Sequence, residues 1–163
     1  MLNAQQQRQV WEGWLGAEIR ANYFAELSGV YRRRQRLITW LTLFASSGAL
    51  AAVLSRLPAE LWWVPVVLTL ATAALSLAAL VLDDQQRAVD SADLHLRWNK
   101  LALGYEALWG NLYVPDATVH LTQLVETEAE VSKAGTSFPA NMKRLAKWEA
   151  HVVKHRTAHA AAA

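Results

Sequence analysis

Charged and apolar positions are unevenly spread along these 163 residues. Between Leu37 and Leu82 only two charged side chains occur, Arg56 and Glu60. Leu37 to Ser55 is an unbroken uncharged run of 19 residues, and Leu61 to Leu82 is another of 22. Wound as helices at about 1.5 Å per residue, the runs span roughly 28 and 33 Å, the thickness of a bilayer's hydrocarbon core. Two buried helices in a soluble core are the competing arrangement, but a chain this short has too little other sequence to cover both on every side. The connector Arg56 to Glu60 is long enough only for a tight turn, so residues 37–82 are predicted to form a transmembrane hairpin. Pro65 falls in the first turn of the second helix, where a missing amide donor costs little.

The flanks carry helical periodicity. Val10, Trp14, Ala17, Ala21, Phe24, Ser28 and Tyr31 recur in alternating steps of four and three, which predicts one packed face of a helix starting near residue 4. Beyond Asp83 and Asp84 the positions Leu94, Trp98, Leu101, Tyr105, Leu108 and Leu112 keep a/d spacing over nearly three heptads. That stripe suits a core packed against the N-terminal helix of the same chain, and equally an assembly contact between subunits. Pro115 and Asp116 end this helix and open another, whose face is expected at Leu121, Leu124, Val125 and Val131. GTSFP, residues 135–139, is a break. A last helix from Pro139 to Ala158 is expected to turn Met142, Leu145, Trp148 and Val152 inward. The predicted class is all-α, with no internal repeat: a cytoplasmic amphipathic helix over 1–36, the membrane hairpin over 37–82 and a helical cytoplasmic region over 83–163.

Charge placement gives the orientation. Arg32, Arg33, Arg34 and Arg36 precede the first run, and Arg87, Arg97 and Lys100 follow the second, against Arg56 alone at the turn. Both termini are therefore predicted to be cytoplasmic. Trp40 lies near one end of the hairpin and Trp62 and Trp63 near the other, where amphipathic rings favour the headgroup zone. The first run begins too late and is too long for a cleaved signal segment. A net charge of +2 is too small for a nucleic-acid-coating protein, and 53% apolar residues argue against disorder. No cysteine is present, so disulfides and thiolate metal sites are excluded.

Catalytic motifs are missing: no P-loop, GxGxxG, HExxH or GxSxG occurs, and no enzyme activity, cofactor or metal is expected. Asp83, Asp84, Asp90 and Asp93 with His95 are read as a solvated juxtamembrane face rather than a metal or phosphotransfer site. His151, His155 and His159 share a helix stripe near the C-terminus, read as surface rather than as a transition-metal site. The hydroxyls inside the runs are more informative. Thr39, Thr42 and Ser46 follow i, i+3, i+7, and Thr69, Thr72 and Ser76 repeat that spacing. In lipid such groups turn towards another helix, bond to their own helix carbonyls, or line a water-filled path. One hairpin encloses no channel, so a path needs several copies around an axis.

The N-terminal helix ending in YFAELSGVYRRRQR, the two apolar runs and the stretch HLRWNKLALGYEALW from His95 to Trp109 together resemble the SLATT family of bacterial two-span membrane proteins. The resemblance covers the chain up to about residue 150 and rests on helix, aromatic and basic positions, with no invariant catalytic motif. It implies a homo-oligomeric pore-forming effector of an anti-phage, abortive-infection system. Such a pore would be controlled by a nucleotidyltransferase-like partner or its nucleotide product, acting on the helical flanks. The arginines at 32–34 and 36 would fix topology on the anionic leaflet and attract such an anion. The alternative is a non-conducting membrane adaptor that recruits a soluble partner through the Leu94–Leu112 stripe.

Overall fold

The computed structural model describes residues 2–45 and 63–162. Ser46, Trp62 and the connector Arg56 to Glu60 lie outside the described residues, as does most of the first uncharged run. Among the described residues every regular element is a helix: α1 (Ala4–Ala45), α2 (Trp63–Leu82), α3 (Asp84–Trp109), α4 (Ala117–Gly135) and α5 (Met142–Ala162). The all-α expectation holds. Among the described residues no helix is long and apolar enough to cross a membrane. Only residues 37–45 of the first uncharged run are described, and in α2 the side chains of Leu75 and of residues 78–82 are not.

The chain divides into two compact units, one of residues 1–27 with 90–163 and one of residues 28–89. The larger unit starts at a reciprocal cap. The Gln6 N–H donates to Asn3 Oδ1 at 2.8 Å and the Asn3 N–H donates to Gln6 Oε1 at 2.9 Å, which satisfies two donors at the start of α1. From there α1 continues to Ala45 without a break. Along it, all seven positions of the four–three pattern, Val10 to Tyr31, are buried.

Within the larger unit α3 supplies the other half of the core. Leu94, Trp98, Leu101, Tyr105 and Leu108 are buried, and Trp98 and Tyr105 are each only 1% exposed. Gly13 on α1 makes room for this: a Cβ there would stand 2.6 Å from Cζ of Tyr105, inside any tolerable contact. Gly104 does the same on the other side, where a Cβ would come within 2.7 Å of Leu124 Cδ2 on α4. The two glycines set how closely α3 sits between its neighbours.

Two sequence expectations need correction. On α4, Ala117, Leu121 and Val131 are buried but Val125 is exposed. The inward face runs Ala117, Leu121, Leu124, Glu128, Val131 in steps of four, three, four and three, so it reaches Glu128 and leaves Val125 at its edge. On α5, Val152 is buried, whereas Met142 is 69% exposed. The helix starts later than expected: Asn141 caps it, its Oδ1 accepting the Arg144 N–H at 3.2 Å, so Met142 sits on the outermost turn.

In the smaller unit, Asp83 takes a left-handed φ of 42° between α2 and α3, a conformation aspartate tolerates better than most residues. The first bond of α3 follows at once, Arg87 N–H to the Asp83 carbonyl at 3.1 Å.

Candidate functional site

The hydroxyls singled out in the apolar runs are bonded along their own helices. Thr42 Oγ1 donates to the Ile38 carbonyl at 2.9 Å, Thr69 to Pro65 at 2.8 Å, Thr72 to Leu68 at 2.7 Å and Ser76 to Thr72 at 2.9 Å. Each bond reaches back four residues and meets the hydroxyl's need for an acceptor without a second helix. Thr39 is exposed.

The arginine cluster is not a uniform cationic patch. Arg32 donates through Nε to the Ser28 carbonyl at 3.4 Å and through Nη2 to Ser28 Oγ at 3.0 Å. Arg34 Nε stands 3.0 Å from Asp84 Oδ2. Arg33 and Arg36 are exposed. Asp84 departs from the solvated acidic face expected of it. Its side chain is 5% exposed, and neither carboxylate oxygen receives a hydrogen bond of good geometry, so the charge leans on Arg34 and on the N-terminal turn of α3. Asp93 pairs with Arg97 at 2.8 Å, one turn along α3. His95 Nδ1 lies 2.9 Å from the Ala21 carbonyl, within reach of a hydrogen bond that ties α3 to α1. Among the described residues no three His, Asp or Glu side chains are gathered to share a metal ion. His151 and His155 lie 6.1 Å apart between ring centroids, tilted by 42°, on the exposed side of α5.

The Leu94–Leu112 stripe goes into the chain's own core, Leu112 being half-buried at its end. Around it lies a polar cluster that the sequence did not announce. Glu128 accepts the Tyr105 hydroxyl on Oε2 at 2.8 Å and faces Arg20 Nη1 from Oε1 at 3.2 Å, while the Arg20 guanidinium lies 4.7 Å from the Trp98 ring. Burial, reinforced by the Glu128 carboxylate, pushes the Tyr105 phenol well above its usual range, so it stays protonated. The four groups tie α1, α3 and α4 together through charge and aromatic faces. Glu128 was legible only as the charged member of an otherwise apolar four–three series.

A second set of charges holds α5 to α1. Glu26 accepts Lys147 Nζ at 3.0 Å and the Trp148 indole N–H at 2.7 Å, with Arg144 at 3.8 Å. The Lys147 hydrogen bond leads in holding the Glu26 carboxyl below the ordinary carboxylate range, against an opposing push from burial. Two turns earlier on α1, Glu18 accepts Arg156 Nε at 2.9 Å, and that guanidinium lies 4.2 Å over Trp14. The chain matches no protein-family model, no curated protein and no solved structure.

Proposed function

We propose that this chain is a homo-oligomeric membrane pore, a SLATT-like effector of a bacterial anti-phage system. Its helical region would lie in the cytoplasm with both termini, under the control of a nucleotide signal or a nucleotide-processing partner. One observation carries the membrane part of this reading. In the smaller unit large apolar side chains point outward in succession: Trp40 is 70% exposed and Phe44 69% on α1, and Leu70 is 66% and Leu77 63% on α2. Single exposed apolar residues are ordinary, but a sustained run of them calls for lipid or another copy. The uncharged sequence from Leu61 to Leu82 and the basic residues on either side of the hairpin support the same placement.

A second reading keeps the membrane anchor and drops the pore. It is favoured by the hydroxyl bonds: Thr42, Thr69, Thr72 and Ser76 have each spent their donor on a carbonyl of their own helix, so none needs water. The chain would then be an adaptor that holds a soluble partner at the membrane. Ion or dye release from liposomes containing purified protein separates the two. Release supports the pore, and tight vesicles holding correctly inserted protein support the adaptor. A chain that stays in the aqueous fraction without detergent, monodisperse as a single subunit, overturns both.

A further inference from the structure

The larger unit holds a cavity of about 390 Å³ where α1, α3, the end of α4 and the start of α5 meet. Its size is that of a small-molecule site. Its walls are flat and aromatic: Tyr23, Phe24, Trp98 and Phe138, with ring centroids 5.2 Å apart for Tyr23–Phe24 and 5.7 Å for Phe24–Phe138. The loop along its rim is pinned. The Tyr23 hydroxyl donates to the Pro139 carbonyl and accepts the Asn141 N–H, both at 3.3 Å.

The Tyr23 and Thr136 hydroxyls at this cavity donate to backbone carbonyls, but three other side chains keep unspent donors. Asn141 uses its backbone N–H on Tyr23 and its Oδ1 on the Arg144 N–H, which fixes the side-chain amide orientation and leaves Nδ2 as a donor. Arg20 places only Nη1 on Glu128, leaving its other guanidinium N–H groups. Behind them the Trp98 indole N–H is buried with no acceptor, below the reach of water. The Arg20 charge is already matched by Glu128, so a second anion would add an unbalanced charge beside that carboxylate.

We infer that this cavity binds a small, neutral, planar aromatic molecule carrying a carbonyl oxygen, an aryl amide in the simplest case. Its ring lies among the Phe24, Phe138 and Trp98 side chains, and its oxygen accepts from Arg20 and Asn141. Aromatic burial supplies the affinity and the donors select the carbonyl. The site stands whether the chain conducts or only anchors a partner, since none of its residues belongs to the apolar runs.

The test uses the full chain in lipid nanodiscs with its eight tryptophan indoles labelled with ¹⁵N. The Trp98 signal is identified by its loss in Trp98→Phe, and 2-naphthamide is the probe. The expected result is a saturable shift of that signal. Gly135→Leu fills the cavity, since a Cβ at Gly135 meets Phe24 at an ordinary 3.5 Å, and weakens binding by about tenfold or more. Ser132→Phe, on an exposed position that lines the same space, does likewise without threatening the fold. Naphthalene and 2-naphthoate are expected to bind more weakly than the amide. No shift in a well-dispersed wild-type spectrum overturns the site. Equal binding of naphthalene or 2-naphthoate overturns the neutral carbonyl class. Binding that survives both filling substitutions places the probe elsewhere and overturns the assignment.

Discussion

The two units are built from the same element, the long helix, and differ in how many of their large rings and aliphatic groups they bury. In the larger one Trp14, Trp98 and Tyr105 face inward while Leu96, Leu103, Tyr113 and Met142 stand exposed, and polar groups reach across to other helices: Arg20 and Tyr105 to Glu128, Arg156 to Glu18, Lys147 and Trp148 to Glu26. In the smaller one Trp40, Phe44, Leu70 and Leu77 face outward, Thr42, Thr69, Thr72 and Ser76 bond four residues back as Thr122 and Thr127 do in the larger one, and Arg34 pairs with Asp84 across helices. Two solvents would produce such a difference. Water rewards hiding apolar surface and tolerates polar groups that trade partners, whereas hydrocarbon makes no demand on apolar surface but requires each helix to satisfy its own backbone and hydroxyls. The hydroxyls of Thr42, Thr69, Thr72 and Ser76 meet the second requirement, which is compatible with the proposed place of the smaller unit in lipid.

The sharpest way to break this comparison is to cut the same kind of side chain from each unit. Trp98→Ala removes a fully buried ring and is expected to destabilise the larger unit by about 3–5 kcal/mol, read as lost hydrogen-exchange protection along α1 and α3. Leu70→Ala, from an outward position, is expected to leave that protection within about 0.5 kcal/mol of wild type. Similar losses from both would mean that the units are not distinct in how they are held.

Glycines give a smaller version of the same contrast. Gly13→Ala forces a methyl group against the Tyr105 ring and is expected to cost about 1–3 kcal/mol, although alanine is the better helix former. Gly29 has no atom within 4 Å of where its Cβ would stand. There Gly29→Ala is expected to be neutral, or stabilising by up to about 1 kcal/mol. Thermal unfolding followed by circular dichroism ranks the two. The order Gly13 worse than Gly29 is the outcome that matters.

Helices were legible where spacing was regular. The seven buried positions from Val10 to Tyr31 follow the four–three pattern, as does the α3 stripe, because a helix that buries one face must repeat at about 3.6 residues, whereas the buried Tyr23 and Leu27 fall outside it. What the pattern hid was polar. Glu128 occupies a core-facing position, but hydropathy marks it only as an interruption, so Val125 was assigned the place instead. Asp84 looked like one more surface acid, since nothing local announces that Arg34, fifty residues away, stands over it. The candidate cavity was less legible still: Phe24 and Trp98 were expected merely as core, and Phe138 lay in a segment read only as a break. Long-range pairing of charges leaves no period to detect.

Acid and alkali probe the two polar clusters of the larger unit from opposite sides. The Glu26 carboxyl titrates below its ordinary value of 4.5 in the folded chain, so its hold on α5 is fully present above that pH and is lost as pH falls through the lowered value. The Tyr105 phenol titrates above its ordinary 10, so its contribution is present at lower pH and is lost as pH rises beyond 10. Glu26→Gln is expected to cost about 1 kcal/mol and to flatten the acid limb alone. Tyr105→Phe is expected to flatten the alkaline limb alone. Exchange protection of α5 and α3 across pH separates the effects, and a variant that flattens both limbs would show that the clusters act as one.

The smallest expected effect bears most directly on function. Thr72→Val replaces a hydroxyl by a methyl of nearly the same shape, and in the folded chain that hydroxyl donates to the Leu68 carbonyl at 2.7 Å. The carbonyl already serves the helix ladder, so losing the extra donor is expected to change stability by less than about 0.5 kcal/mol. A hydroxyl that only satisfies itself contributes nothing to an ion's passage, and the expected single-channel conductance of Thr72→Val is that of wild type. A hydroxyl that lines a water-filled path replaces part of an ion's hydration shell, and removing a ring of them from a symmetric pore alters conductance even when stability is untouched. An altered conductance with unchanged exchange protection would therefore assign α2 to the wall of the path. Equal conductance would turn the search for that wall to α1 or to the surface between copies.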